Sequence, residues 1–526
     1  MSEQVLPAPL AETVAAKPIK KSIRFRTIIL IAHRWTGLAC FVWLIVLGFT
    51  GIVLDHPEWR WSRQWTVTEQ FASEHVLQDQ VLGGIIRKFQ VNPADPRALI
   101  GGGERGLWRT EDNGQNWEPV SFLGMSGMPM VNAVVPAPND QWKTIWLATD
   151  DGIWIVAGKS GPATQVTLAG ENVTSLNFGA LDKELVGIID KTEIFSFTTD
   201  RPESVEKIVP GKVDIPGLPD EVGIPRLMID LHLGEGFTAG RSSMWINDYG
   251  GAALIILSLT GLLYWLFPRQ WKNKEKRARV SKQTRQFTLR WLYNFHSPVL
   301  GIIAIVPIVY LSVTGIYIDH AAFFVEKTHH STIDRDVAPG MYELRDLTWQ
   351  LDGLAADHDR PGHLTVMTRM GLIQTPDYGR TWTFDSSLPL EAHKHNLTPG
   401  FVRHSGMTFA GTHGGPNYTR VDGEESWQTV PGLRMMVMDA AKAGDTWILK
   451  GSRGFSTWDG QADGRSQKAD IPYPQLEGVP FDRFMADLHS GMVFHHHFVW
   501  VNDLVCVIAI LLCITGFIAW WRKKWV

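Results

Sequence analysis

Histidines set at repeated depth in apolar segments are the residues here best suited to chemistry. His33 lies near the start of an apolar run reaching from Arg24 to His56, and His296 stands at the matching place in a later run that ends at His320. An imidazole inside an apolar span is costly unless it binds or pairs with something. Two of them facing across an approximate twofold axis would offer two nitrogen ligands to one iron, the axial arrangement of haem b. His232 and His489 form a second candidate pair toward the other end of the spans. His56 and His320 are secondary candidates. Over the 23 residues from His33 to His56 an ideal helix rises roughly 34 Å and turns the side chain by about 140°. One helix face therefore does not hold both sites. This favours His232 and His489 as the outer ligands, with His56 and His320 lining the exit, and it suits an electron path across a bilayer.

Other groups cluster around these. Asn247 and Asn502, with Asp230 and Asp487, are expected to support a ligand histidine or a haem propionate by hydrogen bonding. Helix capping is the alternative for the asparagines. His495, His496 and His497, and also His329 and His330, could bind iron or copper transiently or simply be solvated at an interface. A lone histidine near a helix end can likewise be an interfacial residue, a reading weakened by its repetition at equal depth. Cys506 and Cys513 read as small apolar fillers. Among the three cysteines there is no CxxCH for covalent haem and no disulfide framework.

The elements that must position these residues are four apolar segments, 28–54, 249–267, 299–318 and 498–521. The predicted architecture is an α-helical membrane protein with a large all-β, propeller-like outer domain. Its parts are a disordered tail 1–23, spans 24–56, 243–268, 291–320 and 497–521, outer halves 57–242 and 321–496, a basic loop 269–290 and a short tail 522–526. Residues 269–290 carry nine Lys and Arg against Glu275, and Lys17, Lys20, Lys21, Arg24 and Arg26 precede the first span. Positive flanks stay in the cytoplasm. Both termini are thus expected inside, with the two large segments outside, in the periplasm of a bacterial host.

The chain reads as duplicated. His33 to Thr50-Gly51 and Asp55-His56 matches His296 to Thr314-Gly315 and Asp319-His320; Asp230-Leu231-His232 matches Asp487-Leu488-His489; and Trp245 to Thr260-Gly261 matches Trp500 to Thr515-Gly516 at the same 15-residue spacing. The Asp boxes Thr110–Trp117 and Thr375–Trp382 also match. An Asp-box carboxylate accepts backbone amides in a hairpin turn, so Asp112 and Asp377 are structural. Three blade-like units per half are expected: 85–120, 130–168 and 172–208, then 341–385, 398–430 and 432–470. Two half-propellers could close into one ring.

His33-Arg34-Trp35-Thr36-Gly37-Leu38, Asp230-Leu231-His232, Asn294-Phe295-His296 and the repeated Thr-Gly near each helix end resemble the PepSY-associated transmembrane family. With its Asp-box outer halves, the chain resembles that family's inner-membrane ferric-siderophore reductases of pyoverdine type. The resemblance implies haem b, one or two, on the intramembrane histidines and a ferric acceptor in the periplasm. Helices two and four depart from the pattern in lacking an internal histidine.

The expected function is therefore transmembrane ferric-siderophore reduction, releasing Fe(II) on the outer face. No GxGxxG nucleotide site is visible, so electrons would come from quinol or a separate cytoplasmic donor. Other iron-uptake proteins are possible partners, and no nucleic acid is expected. The alternatives are a non-redox binding scaffold or transport-complex subunit, and a glycosidase suggested by the Asp boxes. The last lacks paired carboxylates or an arginine cluster to support it.

Overall fold

The computed structural model describes residues 25–71, 84–138, 140–158, 160–238, 240–328, 330–389, 400–412, 416–433, 436–451, 454–461 and 464–524. The tail 1–23, Arg24 and His329 lie outside these residues, as do His393, His395 and His413, histidines expected to line a surface of the outer domain.

Helix α1, Phe25–Asp55, runs apolar over almost its full length. The short α2, Arg60–Gln64, follows it. Six four-stranded antiparallel sheets then make up the β domain. Their innermost strands are Lys88–Asn92, Val131–Pro136, Val173–Phe178, Gly353–Ala356, Phe401–His404 and Asp439–Ala443. Each innermost strand packs against the next, and the sixth packs back on the first. That closed cycle is a six-bladed propeller, three blades from each part of the chain. The blades span 88–120, 131–167, 173–208, 353–384, 401–430 and 439–468, close to the expected units except that the fourth starts twelve residues later. The stretch around Gly340–Glu343 is instead a 3₁₀ turn. Asp112 accepts Asn116 N at 2.9 Å, and Asp377 accepts Thr381 N at 2.8 Å, both inside hairpin turns.

Between the third and fourth blades the chain forms α3, Ile224–His232, then α4, Ser242–Gln270. The segment expected as a basic loop is mostly helical, as α5, Lys274–Ala278, and α6, Lys282–Asn294. Ser281 starts α6 by accepting Thr284 N at 3.0 Å, which satisfies one of its free end amides. The third span was expected as one helix over 291–320. It is broken: α6 passes into a π-helical turn, Phe295–Gly301, and α7, Ile305–Asp319, leaves at 63° to it. Pro298 lies within the turn and Pro307 just beyond it. A proline ring removes an amide donor and crowds the preceding carbonyl, which is where kinks and π-bulges arise. The short α8, Ala321–Thr328, leads into the second half of the propeller.

Helix α9, Phe481–Ser490, and α10, Val499–Lys524, close the chain. Among the described residues, three helices are long and apolar enough to cross a membrane, and the bent pair would make a fourth span. A shared apolar core joins Cys40, Leu44 and Leu47 to Ala253, Leu300, Ala304, Ile308, Val505 and Ala509. Gly48 and Gly251 bring α1 and α4 backbone to backbone: a Cβ on Gly48 would stand 2.4 Å from Gly251 O. Small residues at such crossings are how helices pack tightly in lipid.

Candidate functional site: two facing imidazole pairs

His33 on α1 and His296 on the π-turn face each other, with ring centroids 6.4 Å apart. At the propeller end of the helices, His232 closes α3 and His489 sits in the last turn of α9, with centroids 6.1 Å apart. A metal–imidazole bond of about 2 Å on each side, plus about 1 Å from nitrogen to ring centre, sums to about 6 Å. Both pairs are therefore spaced so that the two imidazoles could hold one metal ion between them.

What holds these rings escapes a reading of the sequence. Each histidine Nδ1 lies against a threonine hydroxyl: His33 on Thr515 at 2.9 Å, His296 on Thr260 at 2.9 Å, His232 on Thr314 at 3.0 Å and His489 on Thr50 at 2.8 Å. Every one of these hydroxyls already donates its single proton to the carbonyl four residues back, at 2.7 or 2.8 Å. The threonine oxygen can then only accept, so Nδ1 carries a proton, and a neutral ring keeps its lone pair on Nε2. The next residue is always glycine. A Cβ there would lie 3.4 Å from His33 Cε1 at Gly516, 3.3 Å from His296 Cε1 at Gly261, 3.3 Å from His232 Cε1 at Gly315 and 3.5 Å from His489 Cε1 at Gly51. Glycine leaves room for the imidazole edge. Thr-Gly is thus a cradle used four times, and helices α4 and α10, which lack an internal histidine, supply two of the four. The repeated Thr-Gly was visible as a repeat, yet nothing in its spacing pointed to a ring 482 residues away.

These features test whether the residues fit haem b, and they do. All four Nε2 lone pairs are free and the pair spacings match. Burial, with the facing His489 adding to it, pushes the His232 imidazole down to about 3, and burial brings His489 to about 4, so both stay neutral. From His33 to Thr50 along α1 is 17 residues, a rise of roughly 26 Å, which separates the two sites.

The secondary candidates stand elsewhere. His56 Nε2 meets Asp248 Oδ2 at 3.1 Å and its Nδ1 meets Glu58 at 2.8 Å, while Trp59 stacks on the ring. His320 Nε2 meets Asp503 at 2.6 Å beside Trp500. Both rings are engaged by carboxylates and belong to neither pair. Asp230 and Asp487, expected to support the ligand rings, bind arginines instead. Asp230 is buried, taking Arg226 Nε at 2.8 Å, Arg369 at 3.1 Å and the Tyr342 hydroxyl at 2.9 Å. Asp487 takes Arg483 Nε at 3.0 Å. Arg369 belongs to a hairpin of the fourth blade, so this cluster fastens α3, and with it His232, to the propeller. Asn247 donates to His232 O at 2.8 Å, holding the backbone of the ligand and not its ring. Asn502 donates to Asp319 at 2.8 Å and accepts Trp43 Nε1 at 3.1 Å. His495, His496 and His497 are exposed, on the turn between α9 and α10.

Together these features define a membrane protein whose helical core presents two stacked sites of paired imidazoles beneath a β-propeller. The model of the PepSY-associated TM region matches residues 191–523, and the chain belongs to that family. No curated protein sequence matches it. Among solved structures it is similar to an ancestral GH74 enzyme, AFV00434, at 9% identity and a TM-score of 0.33, covering 73% of this chain and 38% of that one. It is also similar to the extracellular domain of BT4673, a putative one component system from B. thetaiotaomicron, at 10% identity and a TM-score of 0.35, covering 77% and 39%. The WD40 repeats of RRP9 match at 8% identity and a TM-score of 0.32, covering 74% and 82%. The chain spans about two fifths of the length of the first two.

Proposed function

We propose that this protein is a duplicated, four-span inner-membrane haem b protein that carries electrons to the propeller side and reduces Fe(III) held in a ferric siderophore. The observation that carries the reading is the fourfold Thr-Gly cradle, which holds four imidazoles by Nδ1–H on a threonine oxygen and pairs them at 6.4 and 6.1 Å. Haem b between each pair would supply one-electron Fe(III)/Fe(II) chemistry. The chain's own residues do the rest. His33 and His296, and His232 with His489, are the ligands; the threonines fix their tautomer; the packed helices keep water from the path between the sites.

Topology supports the direction. The basic residues of 269–290 lie at the end of the helices away from the propeller, which favours a cytoplasmic face there and a periplasmic propeller. Arg269 lies over the Trp265 ring at 3.8 Å, the aromatic-and-basic dressing of an interface. Quinol is the proposed donor: one quinol releases two protons and gives two electrons, enough for two ferric ions. Fe(II) is bound far more weakly by hard oxygen chelators, so reduction frees the metal.

The test begins with an absorption spectrum of purified, dithionite-reduced protein. Sharp low-spin haem bands are expected; without them the reading falls and a non-redox scaffold or transport subunit takes its place. Stopped-flow reoxidation by ferric siderophore then tests the acceptor. Quinol in liposomes tests the donor, and reduction only by a cytosolic flavoprotein would replace quinol while leaving the conduit intact.

A further inference from the structure

We infer that His495, His496 and His497 form a landing site for a divalent transition-metal cation, which is Fe(II) if the proposed reduction above is correct. One ring nitrogen from each lies within 4.8 Å of those of the other two, and all three side chains are exposed. A shared cation bound at about 2 Å would hold such nitrogens about 3 Å apart, so side-chain rotation must close the set by about 2 Å.

The turn that carries them is built. His495 is extended, at φ −174° and ψ 149°, and its Nδ1 accepts the His497 amide at 3.2 Å, holding that ring at the head of the turn. Phe498 N donates to His495 O at 2.8 Å, and Phe494 N to Gly491 O at 3.1 Å. Trp43 of α1 packs on Phe494 at 5.8 Å and on Phe498 at 5.2 Å, so the apolar residues on both sides of the trio are pinned to a membrane helix. These contacts anchor the turn on both sides, so rotation of the rings is the change the site needs. The first half carries Thr238, Ala239 and Gly240 at the same step after His232. The trio was added on one side only, six residues after His489.

Donor chemistry selects the guest. Three neutral imidazoles suit borderline-soft divalent ions, while Fe(III) seeks hard oxygen donors. A chelate giving up its iron beside His489 would lose it as the ion these rings accept. The remaining coordination positions would be open to water, so the ion could pass to a next carrier.

The test uses full-length protein in detergent, under anaerobic conditions, with ferrous ammonium sulfate. Equilibrium dialysis with iron analysis, corrected for iron already present, is run on wild type and on the triple variant H495A/H496A/H497A. The expected result is one retained Fe(II) per wild-type chain and at least tenfold weaker binding in the variant, with identical haem bands in both. Equal retention overturns the inference. A parallel dialysis with ferric citrate should show no retention by the trio; ferric retention lost in the variant would also overturn the stated selectivity. Absent haem bands in wild type would tell against the reductase reading, and the dialysis reads the cation site separately from it.

Discussion

At the scale of single residues, the threonines carry a role that the histidines alone cannot. Thr260→Val and Thr515→Val keep the volume of the cradle and remove the acceptor of Nδ1–H. Loss of such a supporting hydrogen bond costs about 10–100-fold in metal affinity. The expected outcome is a singly depleted protein, with haem lost from the inner pair and kept by His232 and His489, read by haem content and by a redox titration showing one component gone or shifted. His33→Ala and His296→Ala should each remove that same haem outright. If both mutants keep full haem content, the inner pair is wrong. The histidines were legible because depth and spacing repeat. The cradles were not, since repeats report equivalence and give no information on which copies touch.

At the scale of elements, two short helices carry the outer histidine pair, and each is tied to the propeller through ionisable groups. Asp230→Ala would leave Arg226 and Arg369 buried without their shared carboxylate. Breaking such a buried cluster costs about 3–5 kcal/mol, seen as a lowered thermal midpoint with release of α3 and loss of haem from the outer pair only. Helix α9 is docked differently. Burial, then the charge and hydrogen bond of Glu104, push Asp482 up to about 8, while Arg87 pairs with Glu104 from the other side. A carboxyl whose value is raised on folding holds its proton in the native state. Its contribution is fully present below the ordinary carboxylate range and is lost as pH rises through about 8. Wild-type protein should therefore loosen progressively at the α9–propeller contact between about pH 5 and pH 8, read by limited proteolysis at each pH. Asp482→Asn should be flat over that window; an unchanged wild-type profile would remove Asp482 from the account. These docking contacts join residues far apart in sequence, and α3 and α9 look in isolation like ordinary short amphipathic helices. The bend at 295–304 was hidden for another reason. Proline is tolerated inside apolar spans when neighbouring groups take up the freed carbonyls, so Pro298 and Pro307 did not contradict a straight helix.

At the scale of the molecule, the propeller reads well from sequence because short alternating strands mark each blade locally and Asp boxes mark the first and the fourth. Ring closure does not, since it depends on the sixth blade meeting the first. The cavity along its axis, about 2480 Å³, is lined by polar groups including Gln90, Asn92, Asn132, Asn177 and His404. Replacing both propeller halves with short linkers should leave haem bound but slow reduction of a bulky ferric siderophore far more than that of ferric citrate. Equal slowing of the two acceptors, measured by stopped flow, would make the propeller a clamp for the helices and nothing more.

Each cradle crosses the chain's midpoint: His33 rests on Thr515, His489 on Thr50, His232 on Thr314 and His296 on Thr260. Synthesis runs from the first residue to the last, so a growing polypeptide emerging into the membrane holds no finished site for most of its time on the ribosome. The outer pair waits for α9 and the inner one for the final helix. If haem fills these pairs, as proposed, it finds no half-made site in the nascent chain, and its loading is left to the completed molecule. A chain stopped at residue 498 should accordingly lack the Thr515 support of His33, however well its first three spans insert.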